Sequence, residues 1–193
     1  MPAPSNAKER LQEHYCLFDT DLGVCGVAWS GRGLTRLQLP EADRRATEGR
    51  LRRHAGRAAA DAPPPIRRAI ADIQSYLAGR KVEFQAIALD LAGVSPFRRS
   101  IYEAARAVDW GRTVSYGELA ERAGVPGAAR AVGQALGQNP VPLIIPCHRI
   151  LAAGKAAGGF SAFGGTDTKM RLLALEGVRL GEAAPLLPGL LPR

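Results

Sequence analysis

The run Pro146-Cys147-His148-Arg149, fed by the apolar stretch Val141-Pro142-Leu143-Ile144-Ile145, sets a thiol, an imidazole and a guanidinium side by side. That combination suits nucleophilic attack by sulfur. A thiol attacks as its thiolate, and a free cysteine with a pKa near ~8.5 is mostly protonated at neutral pH unless a base or nearby cations shift it. His148 and Arg149 are the candidates for that shift. Consecutive side chains of an extended segment point to opposite faces, so His148 is expected to reach Cys147 through a turn or a bridging water. Adjacency alone leaves a second reading open, an inert buried cysteine beside a surface histidine.

The elements around this run must hold it in place. Ser95-Pro96 reads as a helix start, with Phe97, Ile101, Ala104, Ala105 and Val108 on one apolar face up to Trp110-Gly111. Residues 115–123 read as a short helix capped by Ser115, with Glu118 at the capping-box position. Gly124-Val125-Pro126-Gly127 is a turn, and residues 128–136 form a second helix. Two short helices about a glycine-containing turn make a helix-turn-helix candidate, although an ordinary helical hairpin has the same signature. The second helix is nearly all Ala and Gly around one long side chain, Arg130. Small residues let a helix enter a narrow groove, leaving the arginine free to penetrate a base stack or meet phosphate; tight packing inside the protein would use the same composition.

Upstream, residues 15–18, 24–29 and 34–39 are β-prone runs separated by turn compositions, which predicts an antiparallel meander of three strands. Residues 41–54 read as an exposed, arginine-rich helix, and 55–65 as a linker ended by three prolines. Ile66, Ile70, Ile73 and Leu77 recur at helical spacing up to Gly79. Residues 82–89 are expected to add one more strand, and the composition shift near residues 90–93 marks a domain boundary.

With 193 residues, 46% of them hydrophobic, the chain can bury a real core in one or two domains. Its net charge is +8, carried almost wholly by arginine, which binds phosphate bidentately and so favours a polyanion partner. Coding bias in a GC-rich genome would give the same excess. Cys16, Cys25 and Cys147 are an odd number without metal-ligand spacing, which points to a reducing compartment. Residues 1–12 lack the apolar core of a signal peptide, and no segment approaches the ~18 apolar residues that span a bilayer, so a cytoplasmic protein without a membrane partner is expected.

Taken in order, Tyr116 within Thr113-Val114-Ser115-Tyr116-Gly117-Glu118-Leu119-Ala120, Arg130-Ala131-Val132-Gly133, Asn139-Pro140, Ile145-Pro146-Cys147-His148-Arg149-Ile150, and Lys169 with Leu172-Leu173-Ala174-Leu175-Glu176-Gly177 resemble the O6-alkylguanine-DNA alkyltransferases. The resemblance covers residues 95–178 and is carried by the ordered set. It implies an α/β chain with an N-terminal ribonuclease-H-like domain over residues 1–92. A helical, winged-helix-like domain with the helix-turn-helix follows over 93–180, then a flexible tail over 181–193. The implied activity is DNA repair: irreversible, stoichiometric transfer of a methyl or alkyl group from O6-alkylguanine, and from O4-alkylthymine, in flipped-out duplex DNA. The protein would act as a monomer without cofactor.

Carried over by position, the resemblance makes Cys147 the acceptor, His148 the base acting through water, Glu176 the group that orients the imidazole, and Asn139 the holder of the turn before the cysteine. A carboxylate so placed is expected to favour protonated imidazole and leave a thiolate. Arg130 would replace the extruded nucleotide and Tyr116 would help rotate it, with Ala129, Ala131 and Gly133 against DNA. Phe97, Leu136, Ile150, Phe163 and Gly164, with the loop 158–165, would shape the substrate pocket. Phe163 stands where many relatives have Tyr or Pro, leaving substrate size open. His14, Cys16 and Cys25 are one ligand short of a four-coordinate zinc site, so no structural metal is expected.

Other classes fit less well. A lesion-binding protein that transfers nothing would lack the cysteine. A helix-turn-helix regulator would read bases with polar side chains that the second helix lacks. A cysteine hydrolase needs an oxyanion hole, and a thiol oxidoreductase a resolving cysteine.

Overall fold

The computed structural model describes residues 13–152, 159–160 and 162–180. The expected tail over 181–193 and most of the loop 152–159 lie outside them. The meander is present as β1 (His14–Thr20), β2 (Gly23–Ser30) and β3 (Gly33–Gln38), each antiparallel to the next. Alternation along β2 divides its side chains between two faces. Cys25, Val27 and Trp29 enter the main core, while Ala28 packs with Tyr15 and Leu51 on the other side. Leu51 belongs to α1 (Arg44–Arg52), the expected basic helix, which starts at Asp43, whose side chain accepts from Ala46 N–H at 2.7 Å. The opposite face is covered by α2 (Pro64–Leu77), which buries Ile66, Ala69, Ile73, Tyr76 and Leu77.

Two expectations change here. The stretch read as a linker contains β4 (Arg57–Ala58), parallel to β1, giving the sheet order β3-β2-β1-β4. Residues 82–89 are not a strand. Only Leu89 makes a single parallel bridge, to Leu34 on the free edge of β3. The reason is competition for backbone carbonyls: the Arg106 guanidinium takes those of Phe84, Gln85 and Ile87 at 3.2, 3.0 and 3.2 Å. Those acceptors are satisfied without a ladder. Where this segment crosses β3, a Cβ on Gly33 would lie 2.5 Å from the Ala88 carbonyl oxygen, so the close approach requires glycine.

The second half is helical. α3 (Pro96–Arg106) is capped by Ser95, and β5 (Val114–Ser115) leads directly into α4 (Tyr116–Arg122). The predicted capping box is complete: Ser115 Oγ accepts from Glu118 N–H at 3.1 Å, and the Glu118 carboxylate accepts from Ser115 N–H at 2.6 Å. α5 (Ala129–Gly137) follows, then β6 (Ile150–Leu151), parallel to β5, and α6 (Gly165–Leu175). On α3 the buried face is Ile101, Tyr102 and Ala105, with Phe97 left 37% exposed. Tyr102 can be buried because its hydroxyl donates to Ala135 O on α5 at 2.9 Å.

The two halves share one continuous core, running from Phe18 and Trp29 through Tyr76 to Ile101, Leu119 and Leu172. Leu37 N–H on the β3 edge also donates to Pro140 O at 2.9 Å, so the sheet braces the loop ahead of the cysteine. Among the described residues no helix is long and apolar enough to cross a membrane.

Candidate active site

Cys147 opens a single 3-10 turn, Cys147–Arg149, directly before β6. Asn139 organises the approach to it. Its Nδ2 donates to Ile145 O at 2.7 Å and to Cys147 Sγ at 3.3 Å, while its Oδ1 accepts from Val141 N–H at 3.0 Å. One amide therefore closes both ends of the loop 139–147 and touches the sulfur. The loop is constrained further by Leu143, a buried non-glycine residue at φ 71.

The turn sends His148 and Arg149 inward, where both meet Glu176. His148 Nε2 lies 2.8 Å from Glu176 Oε1, and a carboxylate only accepts, so Nε2 carries the proton of the neutral ring. Arg149 is not a partner of the sulfur. Its Nε donates to both Glu176 oxygens at 3.1 and 2.9 Å, its Nη2 to Oε1 at 2.9 Å, and its Nη1 to Val108 O at 2.5 Å. Glu176 caps the C-terminus of α6, where the helix dipole disfavours a carboxylate. Burial also pushes its pKa up, but donors from His148, Arg149 and Tyr76 together outweigh that and hold it at about 2. Gly111, at φ 70, adds a backbone N–H to Oε2 at 3.1 Å.

These surroundings work against the expected thiolate–imidazolium pair. Burial is the largest influence on both groups, pushing the Cys147 thiol up and the His148 imidazole down despite Glu176. An interior site solvates separated charges poorly, so burial favours the neutral form of each group. Two side chains ease ionisation of the sulfur, the Asn139 amide and then the ammonium of Lys169, and the backbone N–H groups of Cys147 and His148 add to them. Lys169 is fully buried, donates to Ile150 O at 2.5 Å, and lies 5.9 Å from the centre of the Tyr116 ring. Burial draws its own pKa down to about 8.

Cys147 borders a cavity of about 800 Å³ lined by Ser115, Tyr116, Ala129, Arg130, Gly133 and Leu136, and also by Ala152, Gly159 and Phe160. Its walls are therefore the start of α4 and one face of α5, and Arg130 stands exposed at the rim. Tyr116 is half-buried, and burial followed by the neighbouring Cys147 raises its phenol.

The site thus brings together Cys147, His148, Glu176 and Asn139, and groups Tyr116, Ala129, Arg130, Gly133 and Leu136 about the cavity. Ala131 lies half-buried on α5, outside the lining. Four residues expected in the pocket do not line it. Phe97 is on the surface, and Ile150 is fully buried with its carbonyl on Lys169. Phe163 is 53% exposed in the turn that opens α6, where Thr168 Oγ1 holds its carbonyl at 2.6 Å and Gly164 takes φ 82. Phe160 supplies the aromatic wall instead. Sequence reasoning assigned no role to Tyr76 or Lys169; the lysine stood in the recognised motif, whereas nothing local marked the tyrosine. Among the described residues no group of three or more His, Cys, Asp or Glu could hold a metal ion.

Residues 14–91 match the 6-O-methylguanine DNA methyltransferase ribonuclease-like domain, and residues 96–178 match the DNA binding domain of the same family. A methylated-DNA–protein-cysteine methyltransferase of Mycobacterium bovis is 37% identical over 163 residues, 84% of this chain and 92% of that protein. One from Mycolicibacterium paratuberculosis is 47% identical over 108 residues, covering 56% of this chain and 63% of that relative. In structure, the chain is similar to Mycobacterium tuberculosis O6-methylguanine methyltransferase, with a TM-score of 0.70 and 35% identity over 89% of this chain and 96% of that one. OGT of the same organism, solved in complex with DNA, gives 0.68 and 36% over 84% and 92%. A ribonuclease-like sheet domain joined to a helix-turn-helix half that closes over a buried Pro-Cys-His-Arg turn places this chain in the 6-O-methylguanine DNA methyltransferase family.

Proposed function

We propose that this protein repairs DNA by moving a methyl or larger alkyl group from O6 of a flipped-out guanine, or O4 of thymine, onto Cys147. The observation that carries the reading is the position of the thiol at a cavity walled by the helix-turn-helix, with an exposed arginine at its rim. A base stacked in duplex cannot present its exocyclic oxygen to a recessed sulfur, so it must leave the stack. Arg130 fills the gap it leaves, while the small residues Ala129 and Gly133 let α5 approach the backbone closely. The division of labour follows residues 1–92, which brace the loop, and 93–180, which meet DNA as a monomer.

The chemistry needs only groups of this chain. His148 Nδ1 is buried and has no hydrogen-bond partner among the described residues, which leaves it as the base that takes the thiol proton through a bridging water. Sulfur bonds to the alkyl carbon as the carbon–O6 bond breaks, and the electron pair passes to guanine. Tyr116 is placed to donate a hydrogen bond to the departing base. The thioether has no leaving group better than the protein itself, so each molecule acts once.

The test is intact and peptide mass spectrometry after mixing with excess duplex containing one O6-methylguanine. One methyl group on Cys147 per molecule is expected. Lesion binding without an adduct would assign the protein to lesion sensing. Arg130→Ala should slow transfer from duplex about tenfold or more while changing reaction with free O6-benzylguanine less than twofold, because a free base needs no flipping. Equal losses on both substrates, read by single-turnover kinetics, would remove the finger role.

A further inference from the structure

Tyr76 belongs neither to the thiol loop nor to the helix-turn-helix. It sits on α2 in the sheet-bearing half and is fully buried, its ring edge-on to Trp110 at 5.2 Å and tilted against Phe84 at 5.4 Å. A phenylalanine would make those contacts equally well. The oxygen needs a separate explanation, because a buried hydroxyl is costly unless it is bonded. It lies where the carboxylate and the imidazole meet: Tyr76 O–H donates to Glu176 Oε1 at 2.6 Å, and its oxygen is 3.1 Å from His148 Nε2.

Glu176 Oε1 also accepts from His148 Nε2 at 2.8 Å and from Arg149 Nη2 at 2.9 Å. With its own proton committed to Glu176, the phenol presents a lone pair to Nε2–H. Two acceptors therefore face one N–H. The opposite arrangement, a bare Nε2 against a carboxylate, is repulsive, so the proton stays on Nε2 and Nδ1 stays free. Among the described residues Nδ1 has no hydrogen-bond partner.

We propose that Tyr76 is a positioning residue of the transfer reaction, supplied by the sheet-bearing half to the centre formed by the helical half. Its hydroxyl holds His148 in the tautomer and orientation that offer Nδ1 to the Cys147 proton. The inference rests on the transfer reading above. The thiol proton goes to Nδ1 as sulfur bonds to the alkyl carbon, and Nε2–H keeps both acceptors throughout. Tyr76 itself neither gains nor loses a proton; burial, then Glu176, holds its phenol well above the ordinary tyrosine range.

The charged and titratable groups around the imidazole are Glu176, which favours its protonation, and Arg149 and Lys169, which oppose it, with Tyr76 at Nε2. Removing the phenol frees Glu176 of one donor, so the carboxylate holds a proton on the imidazole more firmly. The acidic limb of the rate profile then moves to higher pH, while loss of the second acceptor loosens the ring.

The experiment is single-turnover alkylation by free O6-benzylguanine from about pH 5 to 9, with wild type and Tyr76→Phe, which keeps the ring packing. Tyr76→Phe is expected to react about tenfold more slowly at neutral pH, the scale of one hydrogen bond to a charged group, with its acidic limb displaced upward. Replacing Tyr76 by 3,5-difluorotyrosine keeps the hydroxyl and strengthens it as a donor, and should move the limb downward. Nitrogen-15 spectra should show His148 protonated at Nε2 in wild type and as a tautomer mixture in Tyr76→Phe. A lower melting temperature with an unmoved rate profile and tautomer would make Tyr76 purely structural and overturn the proposal. Should Tyr76→Phe not fold, an unmoved limb in the fluorinated protein overturns it equally. Failure of wild type to gain an adduct would instead overturn the transfer reading, and is seen before any variant is compared.

Discussion

Cys147→Ala is expected to lose alkyl transfer entirely and to keep DNA binding within about twofold. Among the described residues lining the cavity Cys147 supplies the one thiol, and neither Asn139 nor Lys169 can replace it: an amide is not nucleophilic, and the ammonium is engaged with Ile150 O. Binding should survive because the surface proposed to meet DNA is made by α4 and α5, which are held by the buried residues Leu119, Val132 and Leu136. Stability should change by less than about 1.5 kcal/mol, since alanine removes one weak hydrogen bond from Asn139 and a small buried group. Cys16 and Cys25 act as internal controls. Burial pushes the Cys25 thiol up to about 12 and raises that of Cys16, so both should stay unmodified when Cys147 is alkylated. Peptide mass spectrometry and a gel-shift titration check both halves of the prediction. Transfer surviving in Cys147→Ala would remove the assigned acceptor.

Glu176→Gln is expected to cost both catalysis and folding. In the folded chain the carboxylate is held at about 2 against 4.5 for an ordinary glutamate. That difference corresponds to about 3 kcal/mol of stability, of the size seen when one partner of a buried ion pair is removed. A group whose pKa is depressed by folding stabilises above its unfolded value and loses that contribution as pH falls through its folded value. The Glu176 contribution is therefore complete above about pH 4.5 and fades toward 2. Glu176→Gln should lie below wild type by that amount in urea unfolding at neutral pH, and the gap should narrow as the solution is acidified below 4.5. His148 acts separately and at higher pH. Its folded pKa is depressed by burial, so unfolding takes up a proton below the ordinary value of 6.5, and both proteins lose stability as pH drops through that range. Transfer by Glu176→Gln should fall by about 100-fold or more, because the imidazole loses the anion that supports its proton uptake. Equal stability of the two proteins at neutral pH, or an unchanged transfer rate, would mean that Glu176 does not carry the charge of this centre.

Much of the site could be read locally. Ser115 and Glu118 announce α4 because a capping box is an interaction over three residues, and Asn139 and Cys147 meet because one short loop separates them. The meander was legible for the same reason: adjacent strands need only their turns and an alternating pattern. Phe97 and Phe163 were misplaced because apolar character says that a side chain gains from burial but not that the chain will turn it inward. On α3 the buried place went to Tyr102, whose hydroxyl found a carbonyl on α5. Residues 82–89 have strand composition, yet the guanidinium of Arg106 claimed the carbonyls a ladder would have used.

By itself the sequence pointed to Cys147 with the neighbouring His148 as candidate acceptor and base, to two short helices about a turn with Arg130 on the second, and to the family whose motifs they match, since each is encoded by residue types at short, ordered spacing. Only the tertiary structure decided that Arg149 serves Glu176 and not the thiol, that burial pushes the Cys147 thiol up, and that Tyr76 reaches Glu176 across 100 residues of chain. Those outcomes depend on burial and on which distant groups the returning chain brings within hydrogen-bond range. Both depend on the whole packed chain, and a local run of residues contains neither.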